Sequence, residues 1–280
     1  MPRPDLVLRP GRDGARLVPD VAYPRAFTLR VGRTDQSYVD LDDPRRLEFD
    51  YLQQIAVVLD HLAPPGTPLR TVHVGGAAMS LPRYLAATRP RSSQVVLEPD
   101  GELTAFVREH LPLPPRSGIR VREADGRSGV AGLRDAYADV VIVDAFVGPR
   151  TPAALTSLEF WTDVRRVLTG SGAVIVNVTD RGPLDYGRRV LAGLAACFDH
   201  RILMAEASTL KGRRFGNVVL AAADVPLPVE AIAAEAGRAP YPYRVVTGAA
   251  LTQLLGGAAP FTDAEGEESP APPHGMFHFG

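Results

Sequence analysis

Apolar and polar positions follow two different periods along this chain, and the change falls near residue 44. Before it, the stretches DLVLRPG, ARLVPD, AFTLRVG and QSYVDL alternate over a few residues each and are broken by glycine, proline and aspartate. That is the pattern of short antiparallel strands. Arg12-Asp13-Gly14 supplies a turn between the first two. From Pro44 to His61 the spacing lengthens: Leu47, Tyr51, Ile55, Val58, Leu59 and Leu62 recur on one helical face, and Pro64-Pro65-Gly66 ends the helix.

Beyond this point apolar, β-branched runs alternate with amphipathic stretches. The runs TVHVG, QVVLEPD, IRVREAD, ADVVIVDAF and GAVIVNVTD read as strands. Between and after them, helices are predicted over SLPRYLAATRP, over ELTAFVREHL, near Val130 to Asp135, from about Ser157 to Leu168 and from about Leu184 to Phe198. Such alternation builds a parallel sheet with helices on both faces. The last two strands, HRILMAEA and NVVLAAA, are joined without a helix, which predicts an antiparallel edge. The fold class is therefore α/β: a Rossmann-like, seven-stranded class I methyltransferase sheet preceded by a small N-terminal antiparallel β domain. The boundaries expected are residues 1–43 for the β domain and 44–225 for the sheet domain. A helical extension is expected over 226–256 and a flexible tail, rich in proline, glycine and acid, over 257–280.

Composition narrows the function classes. The net charge of -1 gives no broad basic field for nucleic acid. Cys197 is the single cysteine, which excludes an intrachain disulfide and a cysteine-based zinc site and suits a reducing cytoplasm. Met1 to Pro10 lacks the apolar core of a signal peptide, and no run of about 18 apolar residues is present to span a membrane. Arginine abounds while Lys211 is the sole lysine, as expected of a GC-rich, bacterial genome.

In open α/β sheets ligands bind outside the carboxyl ends of the strands, so the residues that follow each strand are the candidates for chemistry. After the first comes Val74-Gly75-Gly76-Ala77-Ala78-Met79, whose small residues let the backbone turn tightly and approach a ligand, or simply turn. After the second comes Glu98-Pro99-Asp100. An acid one βαβ unit beyond a glycine turn can accept the hydroxyls of a ribose; alone, it is as readily a helix cap. After the third, Asp125-Gly126 can meet an adenine amino group or form an ordinary turn. Asp144 ends an almost wholly apolar strand, where a carboxylate acquires a raised pKa and suits a general base or an anchor for an amine; a structural cap is the alternative. Together these residues predict a nucleoside half, made of Gly75, Gly76, Glu98, Asp125 and Gly126, and an acceptor half centred on Asp144.

The same residues resemble the spermidine synthase (polyamine aminopropyltransferase) family over roughly Leu29 to Ala223. Val74-Gly75-Gly76 matches the start of the family's glycine loop, Glu98-Pro99-Asp100 looks like its ribose-binding V-E-x-D, and Asp125-Gly126 matches its adenine-contacting pair. Asp144, Gly148-Pro149, Leu155, Glu159-Phe160 and Leu168 follow its Asp-x-x-Asp-Pro-x-Gly-Pro pattern and what comes after, shortened by deletion. Gln36-Ser37-Tyr38-Val39 stands where the family has a glutamine-bearing strand, which implies acceptor contacts for Gln36 and, from the entering helix, for Tyr51. The resemblance implies S-adenosylmethionine or its decarboxylated form as donor substrate, a small-molecule amine as acceptor, no metal, no nucleic acid or membrane partner, and a homo-oligomer.

The departures fall in the acceptor half. Ala77-Ala78 replaces an aspartate that holds the aminopropyl amine, Phe146-Val147 replaces a second acid, and Tyr51-Leu52-Gln53 replaces a Tyr-His-Glu segment. Each lost charged contact removes roughly 1.5–3 kcal/mol of binding to a polycation. Lys211-Gly212-Arg213-Arg214-Phe215-Gly216-Asn217 forms the loop at the expected rim, so Arg213 and Arg214 are candidates for binding an anionic acceptor group, and Asp180 is a further candidate pocket acid. His73, on a buried strand, reads as core. Three functions compete: aminopropyl transfer, methyl transfer from S-adenosylmethionine, and non-catalytic binding or assembly.

Overall fold

A computed structural model describes residues 3–10 and 14–273 of the chain. Arg12 and Asp13 of the expected first turn lie outside the described residues, as does the end of the tail. The described N-terminal strands, β1 (Leu6–Val7), β2 (Ala15–Pro19), β3 (Ala26–Val31) and β4 (Thr34–Asp40), pair in chain order as an antiparallel sheet. One face is apolar: Ala15, Leu17, Leu29 and Val39 pack with Ala78, Met79, Val96, Phe106 and Val107 of the larger sheet and its helices.

The entering helix α1 (Asp50–His61) begins six residues later than the run from Pro44 suggests, because 44–49 is irregular. Its last carbonyls are satisfied by one buried side chain: the Arg89 guanidinium donates to the carbonyls of Leu59, Asp60, Ala63, Pro64 and Thr67. Then follow β5 (Arg70–Val74), α2 (Ser80–Thr88), β6 (Ser93–Leu97), α3 (Gly101–His110), β7 (Ile119–Arg122), α4 (Gly126–Ala131), β8 (Ala138–Val143), α5 (Leu158–Val167), β9 (Leu168–Asp180) and α6 (Asp185–Cys197). The helix expected near Val130 thus starts earlier, where Asp125 caps it.

Strands β5 to β9 are parallel, and the order β9-β8-β5-β6-β7 reverses direction beside β5. Such a reversal opens a crevice at the carboxyl ends of β5 and β8. Alternate side chains of the central strands enter two cores. Val72, Val141, Val143, Val174 and Val176 meet α5 and α6 on one face; Val140, Ile142 and Ile175 meet α1 on the other. This is why those strands read as continuous apolar runs.

Three features differ from the sequence expectation. First, β11 (Gly216–Ala223) is not an edge. It inserts antiparallel between β9 and β10 (His200–Glu206), and the link contains a single helical turn, α7 (Ala207–Leu210). Second, the segment expected to be purely helical consists of α8 (Val229–Ala236), β12 (Tyr243–Val246) and α9 (Gly248–Leu255). β12 pairs with β10 and adds an eighth strand among the described residues, covering backbone groups that would otherwise lie open. A four-residue strand between helices carries too few residues to show its period. Third, residues 257–273 are not loose. Phe261 is 1% exposed, its ring 5.1 Å from that of Tyr186 and 4.0 Å beneath the Arg189 guanidinium. Asp263, Glu267 and Glu268 pair with Arg127, Arg189 and Arg150. Composition gave no sign of this because the partners of the acids are scattered over distant elements.

Candidate active site

The crevice holds a cavity of about 330 Å³, within the range of small-molecule sites. Gly75, Gly76, Glu98, Asp125, Gly126 and Asp144 all border it, and so do Gln36 of β4 and Tyr51 of α1. The series expected along successive strands therefore converges on one space.

The glycine turn is dictated by close approach. Gly75 has φ of +93°, and a Cβ there would stand 2.3 Å from the Asp144 carbonyl oxygen. A Cβ on Gly76 would stand 2.8 Å from Val96 Cγ1. A side chain at Gly75 would press on the backbone after β8, and one at Gly76 on the Val96 and Glu98 side chains.

Glu98 supports this turn directly. Its Oε2 accepts the N–H groups of Gly76 and Ala77, each at 3.0 Å, and its Oε1 accepts the N–H of Asp100 at 3.0 Å. A carboxylate offers about four lone-pair sites, so one on Oε1 is left for a ligand hydroxyl. Glu98 thus braces the glycine turn while it borders the cavity. Asp100 is held by Arg9, whose two terminal nitrogens reach Oδ2 and Oδ1 at 2.8 and 2.7 Å. Asp125 borders the cavity while capping α4: it accepts the Ser128 N–H at 3.0 Å and a short bond from the Ser128 hydroxyl, and these hold its carboxyl below the usual range. That leaves part of its capacity for an amino group.

Asp144 differs from both. Among its bonds is one from Asn177 Nδ2 to its Oδ1, at 2.9 Å, and burial pushes its pKa up to about 6 against the opposing effect of that bond. Tyr51, buried beside it, has its phenol pushed up by burial and then by the Asp144 charge. The start of α1 is fixed by Asp50, which accepts the Tyr51 N–H at 2.7 Å and the Tyr243 hydroxyl of β12 at 3.2 Å. Gln36 Nε2 donates to the Gly148 carbonyl at 3.4 Å, joining the N-terminal sheet to the loop after β8.

Three expected site residues do not border the cavity. Asp180 turns to α6 instead, accepting the N–H groups of Gly187 and Arg181 at 2.7 Å each, because α6 has exposed donors in its first turn and no side-chain cap of its own. Arg214 pairs with Glu206 at 3.2 Å, and Arg213 lies in the exposed link between β10 and β11, outside the residues bordering the cavity. His73 is buried, as expected of core: its Nε2 donates to Gln94 Oε1 at 2.9 Å, Gln94 is oriented by the Pro82 carbonyl, and burial lowers its pKa to about 4. Residues that sequence reasoning passed over are Asn177 and Thr179, which with Asn217, Gln36 and Tyr51 border a smaller pocket of about 20 Å³ adjoining the first. The available signal was an amide inside the apolar run of β9. Among the described residues, no group of three or more His, Cys, Asp or Glu is arranged to hold a metal, and no helix is long and apolar enough to cross a membrane.

No protein-family profile matches the chain. A polyamine aminopropyltransferase of Vibrio vulnificus is 28% identical over 156 residues, covering 54% of this chain and 51% of its own length. The chain thus spans about half the length of the curated relatives it first matches. A polyamine aminopropyltransferase of Neisseria meningitidis is 27% identical over 217 residues, 77% of this chain and 79% of that protein. Among solved structures, a probable spermidine synthase from Corynebacterium glutamicum superposes with a TM-score of 0.84 at 28% identity, over 89% of this chain and 93% of that one. The Thermotoga maritima spermidine synthase, at 15% identity and a TM-score of 0.58, shares the fold. The fold is thus the α/β architecture of these neighbours, a mostly parallel central sheet with an N-terminal antiparallel sheet. Within that architecture, the chain is similar to polyamine aminopropyltransferases and to a probable spermidine synthase.

Proposed function

We propose that the protein is a transferase that binds decarboxylated S-adenosylmethionine and passes its aminopropyl group to an amine. The observation that carries this reading is the sharing of one cavity by Asp144, with its raised pKa, and the Glu98-braced glycine turn. The nucleoside half is assigned to Gly75, Gly76, Glu98, Asp125 and Gly126. Gln36, Tyr51 and Asp144 are assigned to the acceptor. The sulfonium donor would supply both the electrophilic carbon and the leaving group. What remains for the protein is to hold the amine in line with the C–S bond, exclude water and take up a proton at the Asp144 carboxylate. Ionised Asp144 is the working form, so turnover should rise as pH passes upward through about 6. No metal is assigned a role. The bacterial relatives support a bacterial source, and a cytoplasmic setting and a homo-oligomer belong to the same proposal.

Methyl transfer from S-adenosylmethionine is the second reading. It is favoured by Ala77, which borders the cavity with no acid to hold an aminopropyl amine. Calorimetry with the two donors and with methylthioadenosine separates the readings. Decarboxylated donor bound well above the parent compound is the expected outcome; the reverse order points to methyl transfer, and binding of none of the three overturns both.

A further inference from the structure

The acceptor half of the site has less negative charge to offer than its row of acids suggests. Among the described residues, four carboxylates border the cavity and the small pocket beside it: Asp35, Glu98, Asp125 and Asp144. Asp35 pairs with the Arg30 guanidinium at 2.5 Å. Glu98 is committed to three backbone N–H groups, and Asp125 caps α4. Asp144 is the carboxylate left to meet a cationic or nucleophilic nitrogen.

Next to it the surroundings are polar but neutral. The adjoining pocket has room for about one water-sized group. Asn177 borders this smaller pocket and is fully buried. Its Nδ2 donates to Asp144, while its Oδ1 is buried without a partner. Such a carbonyl is costly to leave unpaired and asks for an N–H or O–H donor. It cannot offset the desolvation of a full positive charge as a carboxylate would. Thr179, Asn217 and Gln36, the other polar neighbours, are neutral as well.

We propose that the acceptor carries one amine and a neutral hydrogen-bonding far end, as in a short amino alcohol, and that a diamine is disfavoured because its second ammonium would find no counter-charge. This rests on the transferase reading of the same cavity. In the transfer itself the amine lone pair forms the new N–C bond as the C–S bond breaks. Sulfur keeps the bonding pair and leaves as the neutral thioether methylthioadenosine, and the ammonium proton passes to Asp144 and on to solvent. With Asp144 used in this way, the carboxylate that borders the small pocket, Asp35, is already paired with Arg30.

The test compares 4-aminobutan-1-ol with 1,4-diaminobutane, acceptors of equal length, using the full chain and decarboxylated S-adenosylmethionine. Methylthioadenosine release should give a kcat/KM at least about tenfold higher for the amino alcohol, and calorimetry on methylthioadenosine-saturated protein should give the same order. Asn177→Asp, which adds a carboxylate beside the pocket, should move the preference toward the diamine by about tenfold or more. Asn217→Asp serves if melting curves show that the first variant is unfolded. Equal use of both acceptors, preference of the wild type for the diamine, or an unmoved ratio in a folded variant overturns the acceptor inference and leaves aminopropyl transfer standing. Absence of donor binding overturns the function itself, and the inference with it.

Discussion

Asp144 is destabilising when ionised, and that separates its chemical role from its structural one. Burial pushes its pKa up to about 6 from an ordinary value of 3.8. The stability it contributes is therefore fully present below about pH 4 and is lost as pH rises through about 6, up to about 3 kcal/mol. His73 works in the opposite sense. Its folded value of about 4 lies below its ordinary 6.5, so its contribution is present at neutral pH and is lost as pH falls through about 4. The two overlap, and only a variant isolates either. Asp144→Asn should abolish turnover and leave methylthioadenosine affinity within a few-fold. It should also raise the melting temperature by about 3 °C or more at pH 8, with little change at pH 4, as scanning calorimetry at the two values would read. A melting temperature unchanged at pH 8 would mean that Asp144 is not desolvated.

Asp180 and Phe261 act through the elements they hold. Asp180 accepts two N–H groups around the start of α6, so Asp180→Ala should cost about 1–2 kcal/mol in urea unfolding. The acceptor KM should stay unchanged; a raised KM with unaltered stability would restore the pocket role that its position after β9 suggested. Residues 257–273 bind the loop and helices that follow β8. Thr151 and Ser269 exchange hydrogen bonds, and the Leu158 N–H reaches the Phe261 carbonyl. Phe261→Ala should cost about 3–5 kcal/mol by chemical denaturation, since it empties a fully buried site between α5 and α6. A free tail would give almost no change. Arg127 borders the cavity and pairs with Asp263 at 2.9 Å, so the same segment also steadies one cavity wall.

Across the whole molecule, the parallel sheet and the row Gly75, Glu98, Asp125 and Asp144 were legible because each rests on local signals. Apolar runs of strand length, amphipathic stretches between them and one polar residue at each strand's end are written within a few residues of one another. β12, the inserted β11 and the packed C-terminal segment were not legible. Their stabilisation comes from partners far away in sequence: β10 for β12, β9 and β10 for β11, scattered arginines for the acids near 263–268. Asp180, Arg213 and Arg214 were placed in the site because they follow strands. Nothing local tells whether a side chain after a strand turns toward the crevice, toward a neighbouring helix or toward solvent.

The sequence by itself determined the order of elements and which residues stand at the carboxyl ends of the strands, because periodicity and turn chemistry are short-range. Only the tertiary structure decided how those residues are used. Hydrogen-bonding capacity is shared in space: Glu98 and Asp125 are largely committed to backbone groups, Asp35 to Arg30, and Asp144 is left facing the cavity with Asn177 at its side.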